Sequence, residues 1–208
     1  MPISSVRVAA AAFALMVLAV SCASGSSSAG LSANATTGDA TVDTMLGRID
    51  AVSKVSFTAT YSLTRKLGDA TADARVSQAP PRLSIVIRDV KFIAGDLERT
   101  CDLRTSQCVS GVLAQRVADV TAGLGFYGPT AATQIRVTMS RRSGAVTTGN
   151  RRIAGRDATC VGIDVGGGTE TYCALSNGVV ALIDRADVLV ELTSYQDAPD
   201  APTLALPS

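Results

Sequence analysis

Between Val55 and Thr64 the chain alternates without a break. Val55, Phe57, Ala59, Tyr61 and Leu63 interleave with Ser56, Thr58, Thr60, Ser62 and Thr64. A period of two sends successive side chains to opposite faces, so this segment predicts a strand with one buried face and one wet or ligand-facing face. Just upstream the period is different. Val42, Met45, Leu46, Ile49 and Val52 recur at helical spacing, with Asp43, Arg48 and Asp50 elsewhere and Thr41 where an N-cap belongs. A helix that size must lay its apolar stripe on something, and the strand follows at once.

Further strands come in short runs. Ala72 to Ser77 is weakly patterned, and Pro80-Pro81 breaks the chain before Leu83, Ile85 and Ile87 alternate. Lys91 to Ile93, Leu97 to Leu103 and Gln107 to Val109 follow, with Gly95-Asp96 as a turn. Val112 to Leu124 predicts a helix through Val112, Leu113, Val117 and Val120. A glycine-rich loop then carries Phe126-Tyr127. Residues 130–142 suit a helix through Ala131, Ile135 and Met139, and a strand through Ile135, Val137 and Met139. The last third predicts hairpins: Ala145 to Thr148, Arg152-Ile153, Thr159 to Val165, Thr169 to Leu175, Val179 to Asp184 and Val188 to Ser194. Asn177-Gly178 between apolar runs predicts a two-residue hairpin turn. The order of elements defines an α+β domain, a curved antiparallel sheet with two or three helices packed on one face.

The first residues place the chain. Arg7 precedes an apolar run from Val8 to Val20, too short for the roughly 20 residues of a membrane-spanning helix, and Ser21-Cys22 follows. This is the layout of a secretory signal. Ala19-Val20-Ser21-Cys22 resembles a bacterial lipobox, with Ala in place of the usual Leu at its first position, which makes Cys22 the expected lipidated residue. The expected organisation is a signal segment 1–21, a Ser/Gly/Ala tether 22–38, one domain 39–196 and a frayed Pro- and Asp-rich tail 197–208. The chain then sits at the cell membrane, lipid-anchored, on its extracytoplasmic face.

Composition narrows the chemistry. The sequence holds no His, which removes imidazole-based nucleophilic catalysis and His-ligated metal sites. Lys and Arg (19) nearly balance Asp and Glu (18), and no dense basic stripe appears, which argues against nucleic acid. Of five cysteines, Cys22 goes to the lipid and four remain for two disulfides outside the cytoplasm. Three pairings are open; the local pairs Cys101 with Cys108 and Cys160 with Cys173 are favoured, since each is flanked by strand-like residues. Zinc is disfavoured because no C-x2-C knuckle is present. No cofactor, metal or catalytic residue is expected.

Three motifs have bland readings that outweigh the sharp ones. Gly166-Gly167-Gly168-Thr169 lacks the Lys and the following helix of a phosphate loop and reads as a hairpin. Asp96, Glu98 and Asp102 read as a solvated face before a catalytic carboxylate pair. Arg136, Arg141, Arg142, Arg151, Arg152 and Arg156 form the densest basic region; a solvated helix end and turn outweighs contact with anionic headgroups.

The Cys22 lipobox, the tether, the helix Val42–Val52, the strand Val55–Thr64, Gln78-Ala79-Pro80-Pro81-Arg82, and Arg152-Ile153-Ala154-Gly155-Arg156 leading into Thr159-Cys160-Val161 resemble the lipoprotein-carrier superfamily. The likeness is to actinobacterial lipoproteins of the LppX/LprG type and their LolA/LolB-like relatives. The resemblance implies a half-barrel sheet holding a cavity under its helices, where acyl chains bind. On that reading the protein is a non-enzymatic lipoprotein binding a lipid or other apolar ligand. The cavity lining would come from Met45, Ile49, Phe57, Tyr61, Leu83, Ile85 and Ile87, residues that equally suit a dry core. The alternative is a structural or sensory lipoprotein that binds another envelope protein through its outer sheet face or the Phe126-Tyr127 loop.

Overall fold

The computed structural model describes residues 35–120 and 123–207. The expected signal segment, Cys22 and most of the tether lie outside the described residues. Helix α1 (Ala40–Ala51) begins at Asp39, whose carboxylate accepts the N–H groups of Thr41 at 3.0 Å and Val42 at 3.1 Å. The cap is therefore Asp39 rather than Thr41, and Asp satisfies two of the donors that a helix start leaves unpaired. Val42, Met45, Leu46 and Ile49 form its buried stripe. A 3-10 turn at Val52–Lys54 delivers the chain into β1 (Phe57–Arg65).

From β1 the chain winds outward as a meander: β2 (Ala70–Ala79), β3 (Arg82–Ile87), β4 (Val90–Ala94), β5 (Arg99–Asp102) and β6 (Gln107–Ser110). After α2 (Pro129–Ser140) a second meander runs β7 (Arg142–Ile153), β8 (Arg156–Val165), β9 (Gly168–Leu175), β10 (Val180–Asp184) and β11 (Val188–Gln196). The two join through antiparallel pairing of β1 with β11, Thr58 opposite Gln196. The result is one open sheet in the order β6-β5-β4-β3-β2-β1-β11-β10-β9-β8-β7, with β6 and β7 as its edges.

The inward positions of β1, Phe57, Ala59, Tyr61 and Leu63, are all buried and belong to one apolar cluster with the α1 stripe, Val76, Ile85, Ile87, Phe92, Val161, Ile163, Tyr172, Val190 and Leu192. Tyr61 donates its hydroxyl proton to Val180 O at 3.0 Å, which satisfies the one polar atom the ring carries into the core. Gln78, on the inward face of β2, donates to both Val52 O and Val55 O at 2.7 Å and so holds the turn after α1 against the sheet.

Several segments depart from the sequence reading. Among the described residues of the expected helix Val112 to Leu124 no α-helix forms: only 3-10 geometry at Ala114–Val120 is present, broken at Val117. Val and Asp are weak helix formers, and Val117 and Val120 are the buried residues of this kinked segment. Residues 130–142 are helical to Ser140, and Arg142 already belongs to β7. The two short strands expected at 145–148 and 152–153 are one twelve-residue strand. The Asn177-Gly178 turn is a three-residue loop in which Gly178 alone has positive φ (88°), with Gly178 N–H bonded to Leu175 O at 2.9 Å.

Part of the Pro- and Asp-rich tail takes regular structure. Asp200 caps a short helix, α3 (Ala201–Leu204), that lies against β2 and β3. Both disulfides join facing residues of neighbouring strands: Cys101 with Cys108 across β5 and β6, and Cys160 with Cys173 across β8 and β9.

Candidate binding surfaces

Six of the seven residues expected to line a cavity (Met45, Ile49, Phe57, Tyr61, Ile85 and Ile87) are buried together in the apolar cluster, and Leu83 is half-buried beside it. None of them lines the surface clefts described below. Burial also pushes the Tyr61 phenol well above its ordinary range, so it stays a neutral donor.

Phe126 and Tyr127 do not present an aromatic surface. Both are only 5% exposed. Phe126 meets Tyr61 edge-on with ring centres 4.9 Å apart, and Tyr127 lies 6.1 Å from Phe57. Gly125, where a Cβ would lie 2.1 Å from Thr130 Oγ1, lets the loop fold back tightly so that two large apolar rings leave water. Arg136, counted with the basic region, is likewise interior: its guanidinium pairs with Asp50 of α1 and donates to Ala35 O at 3.2 Å. Its charge ties α2 to α1 and is not available to a headgroup. Nearby, Thr138 Oγ1 lies 2.9 Å from Tyr172 Oη and 2.8 Å from Glu170 Oε2, and burial raises the Tyr172 phenol.

One cleft opens beside this region. Phe126, Ala131, Ile183, Val188 and Val190 line about 260 Å³ of space together with Gln134 and Arg185. Arg185 bonds Asp187 through Nη2 at 3.0 Å, but its buried Nε has no hydrogen-bond partner among the described residues. An apolar wall beside an unused donor suits an apolar molecule with a small anionic or carbonyl head.

The outer face of β1 to β4 carries the C-terminal strap. Thr58 Oγ1 donates to Ala198 O at 2.8 Å, and Asp200 N–H donates to Ser77 Oγ at 2.8 Å. Lys91, on β4, points its ammonium at the end of α3, where it donates to Pro202 O at 3.4 Å and to Ala205 O. A cation at carbonyls that a helix end leaves unpaired is favourable. Burial lowers the Lys91 pKa, and the Asp200 charge opposes that shift. Asp200 itself is held below the usual aspartate range by its bond to Thr203 and by Arg75 at 3.2 Å. Beside the strap, Ile93, Leu97, Leu204 and Leu206 border an apolar cleft of about 320 Å³.

The acidic trio does not converge on a site. Asp102 Oδ1 accepts the N–H groups of Arg104 at 2.9 Å and Thr105 at 3.2 Å and so closes the β5–β6 turn, while Asp96 and Glu98 are exposed. Those backbone bonds, with Arg104 and Arg116 nearby, lower the Asp102 pKa, the opposite of what a general acid needs. Among the described residues no three metal-ligating side chains cluster, and no helix is long and apolar enough to cross a membrane.

At the far edge β7 is exposed along almost its whole length; only Val146 and Ile153 are half-buried. Arg142 stands at one end and Arg151 and Arg152 at the other. Gly149 and Gly162 leave a polar trough of about 210 Å³ along β7 and β8. Beyond the β7–β8 turn, Arg156 pairs with Asp197 at 2.6 Å and lies over the Tyr195 ring.

The sheet is open, curved and antiparallel, with few helices. Among solved structures it is similar to MucB: 17% identity and a TM-score of 0.54 over 81% of this chain and 63% of that one. The Pseudomonas aeruginosa MucA/MucB complex (18%, TM-score 0.52, 80% and 61%) and MucB in complex with MucA(peri) (18%, TM-score 0.50, 77% and 58%) are similar as well. The chain thus spans about three-fifths of the length of these structures. At this identity the likeness is one of fold, and the narrower likeness to LppX/LprG proteins rests on sequence alone. No protein-family model matches the chain, and no curated protein matches it in sequence.

Proposed function

We propose that this chain is a non-enzymatic lipoprotein, anchored through Cys22 on the extracytoplasmic side of the membrane, whose LolA-like domain binds another protein of the cell envelope. The observation that carries the reading is the shared fold with MucB, which two of the similar structures hold in complex with MucA. The packing of the sheet's inner layer supports the same choice. Six of the seven residues expected to line a carrier cavity are buried in one apolar cluster with the α1 stripe and the Phe126-Tyr127 loop, which favours binding at the surface. The lipobox-like Ala19-Val20-Ser21-Cys22 supports the anchor, and the absence of His supports the non-enzymatic assignment.

The test is cross-linking in intact cells that express the full chain, followed by mass spectrometry. A defined envelope protein, cross-linked at reproducible positions of the sheet domain, is the expected result. Recovery of the chain with lipid alone would sink the reading. A Cys22→Ala variant is expected to leave the membrane fraction.

A second reading, a lipid or other apolar ligand, draws on the cleft beside Arg185. At about 260 Å³ it lies just under the roughly 300–1,000 Å³ common for small-molecule pockets. Lipid mass spectrometry of the purified chain tests it; a bound species lost in Val190→Trp would favour this cleft.

A further inference from the structure

Edges are where sheets grow, and proteins usually guard them with short strands, inward charges, prolines or a covering segment. The two edges of this sheet are treated differently. β6 has four residues and is tied to β5 by the Cys101–Cys108 disulfide. β7 has twelve, pairs among the described residues only with β8, in unbroken register from Val146 to Ile153 after an irregularity between Arg142 and Val146, contains no proline, and runs Ser143-Gly144-Ala145-Val146-Thr147-Thr148-Gly149-Asn150 without a charge. In an antiparallel pair the N–H and C=O groups of alternate residues face away from the partner, so from Val146 to Ile153 the outer side of β7 carries a row of backbone donors and acceptors with no strand partner among the described residues.

The charges at its ends say what kind of strand fits. Among the described residues Arg142 and Arg151 have no ion-pair partner, and Arg152 reaches Asp157 only at 3.9 Å with both side chains largely exposed. A second copy of β7 meets repulsion in the register centred on Thr147. Symmetric antiparallel pairing about Thr147 would set Arg142 opposite Arg152 and Ser143 opposite Arg151, and like charges placed directly opposite destabilise a sheet. A strand with acidic residues near its ends would meet arginine at both. The trough along Gly149 and Gly162 adds room beside the edge, since a Cβ at Gly149 would touch nothing within 4 Å. In strand addition, backbone bonds supply affinity and such recesses choose side chains.

We propose that β7 is the docking edge for the partner protein, and that it takes up an extended segment carrying acidic residues as a twelfth strand. This rests on the partner-binding reading above and names its surface.

The test uses the full chain in detergent. The probe is a synthetic twelve-residue peptide of alternating valine and threonine with glutamates near both ends, with a lysine-ended peptide as control. Acidic-peptide binding with new hydrogen-exchange protection at β7, weakened about tenfold or more in R142E/R151E/R152E, is the expected result. These exposed substitutions leave the core intact, so circular dichroism of the variant should be unchanged. Equal binding of both peptides, protection at β6 or the Arg185 cleft instead, or no binding would overturn the proposal. So would β7 protection that appears in a dimer of the chain, or only on vesicles of anionic phosphatidylglycerol. If the triple variant still cross-links the same envelope protein in cells, the edge is wrong while the partner reading stands. If the unsubstituted chain cross-links none, the partner reading itself fails.

Discussion

Gly178 and Arg48 stand so close that a Cβ on the glycine would lie 2.0 Å from the arginine carbonyl oxygen. The β9–β10 loop therefore abuts the backbone of α1, and only a residue with no side chain fits between them. Its φ of +88° independently favours glycine.

Gly178→Ala is expected to cost about 3 kcal/mol, from left-handed strain plus overpacking. For a domain of this size that lowers Tm by about 10 °C. Gly155 separates the two effects: its φ is +74°, but a Cβ there meets nothing within 4 Å. Gly155→Ala should lose only about 1 kcal/mol. Equal losses in thermal denaturation would refute the close contact with α1.

Arg136 and Asp50 form the ion pair between α1 and α2, with the Arg136 side chain only 5% exposed. Removing one partner leaves a charge with little access to water. Arg136→Met is expected to destabilise by about 3 kcal/mol, and adding Asp50→Leu to restore part of that. Urea unfolding of the two single variants and the double variant measures the coupling.

The strap should be acid-labile. Asp200 has a folded pKa below the ordinary value of 3.8, so its stabilisation is fully present above that value and is lost as pH falls through the lower folded one. Hydrogen exchange in α3 should quicken below pH 4, and Asp200→Asn should flatten that dependence. Lys91 works in the same sense at high pH. Its folded pKa lies below 10.5, so stability should rise, not fall, as pH climbs from the folded value toward 10.5. A strap that tightened on acidification would contradict both assignments.

The disulfides close short loops, seven and thirteen residues apart in sequence. If unfolded-chain entropy is the main term, Cys101→Ala with Cys108→Ala should cost about 2.5 kcal/mol, and Cys160→Ala with Cys173→Ala about 3 kcal/mol. Denaturant titration of the two double variants gives the values directly. Losing the first pair should also raise hydrogen exchange in β6, an edge strand of four residues held by few other contacts.

What could be read from the chain follows from how its elements are covered. α1 and β1 were legible because each has one buried and one wet side, so Val42, Met45 and Ile49 and then Phe57, Tyr61 and Leu63 keep a period. β7 was blurred into fragments because neither of its faces is fully covered and Thr147, Thr148 and Gly149 carry no alternation. The strap was invisible for a different reason: residues 197–207 have no period, and their partners Ser77 and Lys91 are polar residues on what looks like a wet face. Only the fold brings them together. Phe126 and Tyr127, in a run of glycines, gave no hint that their rings would pack on Phe57 and Tyr61. The candidate surfaces were the least legible part, since an edge strand is defined by the neighbour it lacks.

The join between β1 and β11 divides the chain into two halves of nearly independent making. Every other strand pairing links neighbours in sequence, whereas Thr193 Oγ1 bonds Thr60 O across 133 residues. Each half has its own meander and its own disulfide, so among the strand pairings the entropy of long-loop closure falls on this seam, which the strap, the Arg136–Asp50 pair and the Tyr61–Val180 bond then reinforce. The chain is therefore suited to being cut between β6 and β7: two separately produced fragments, each oxidised, should find one another along the seam and rebuild the sheet.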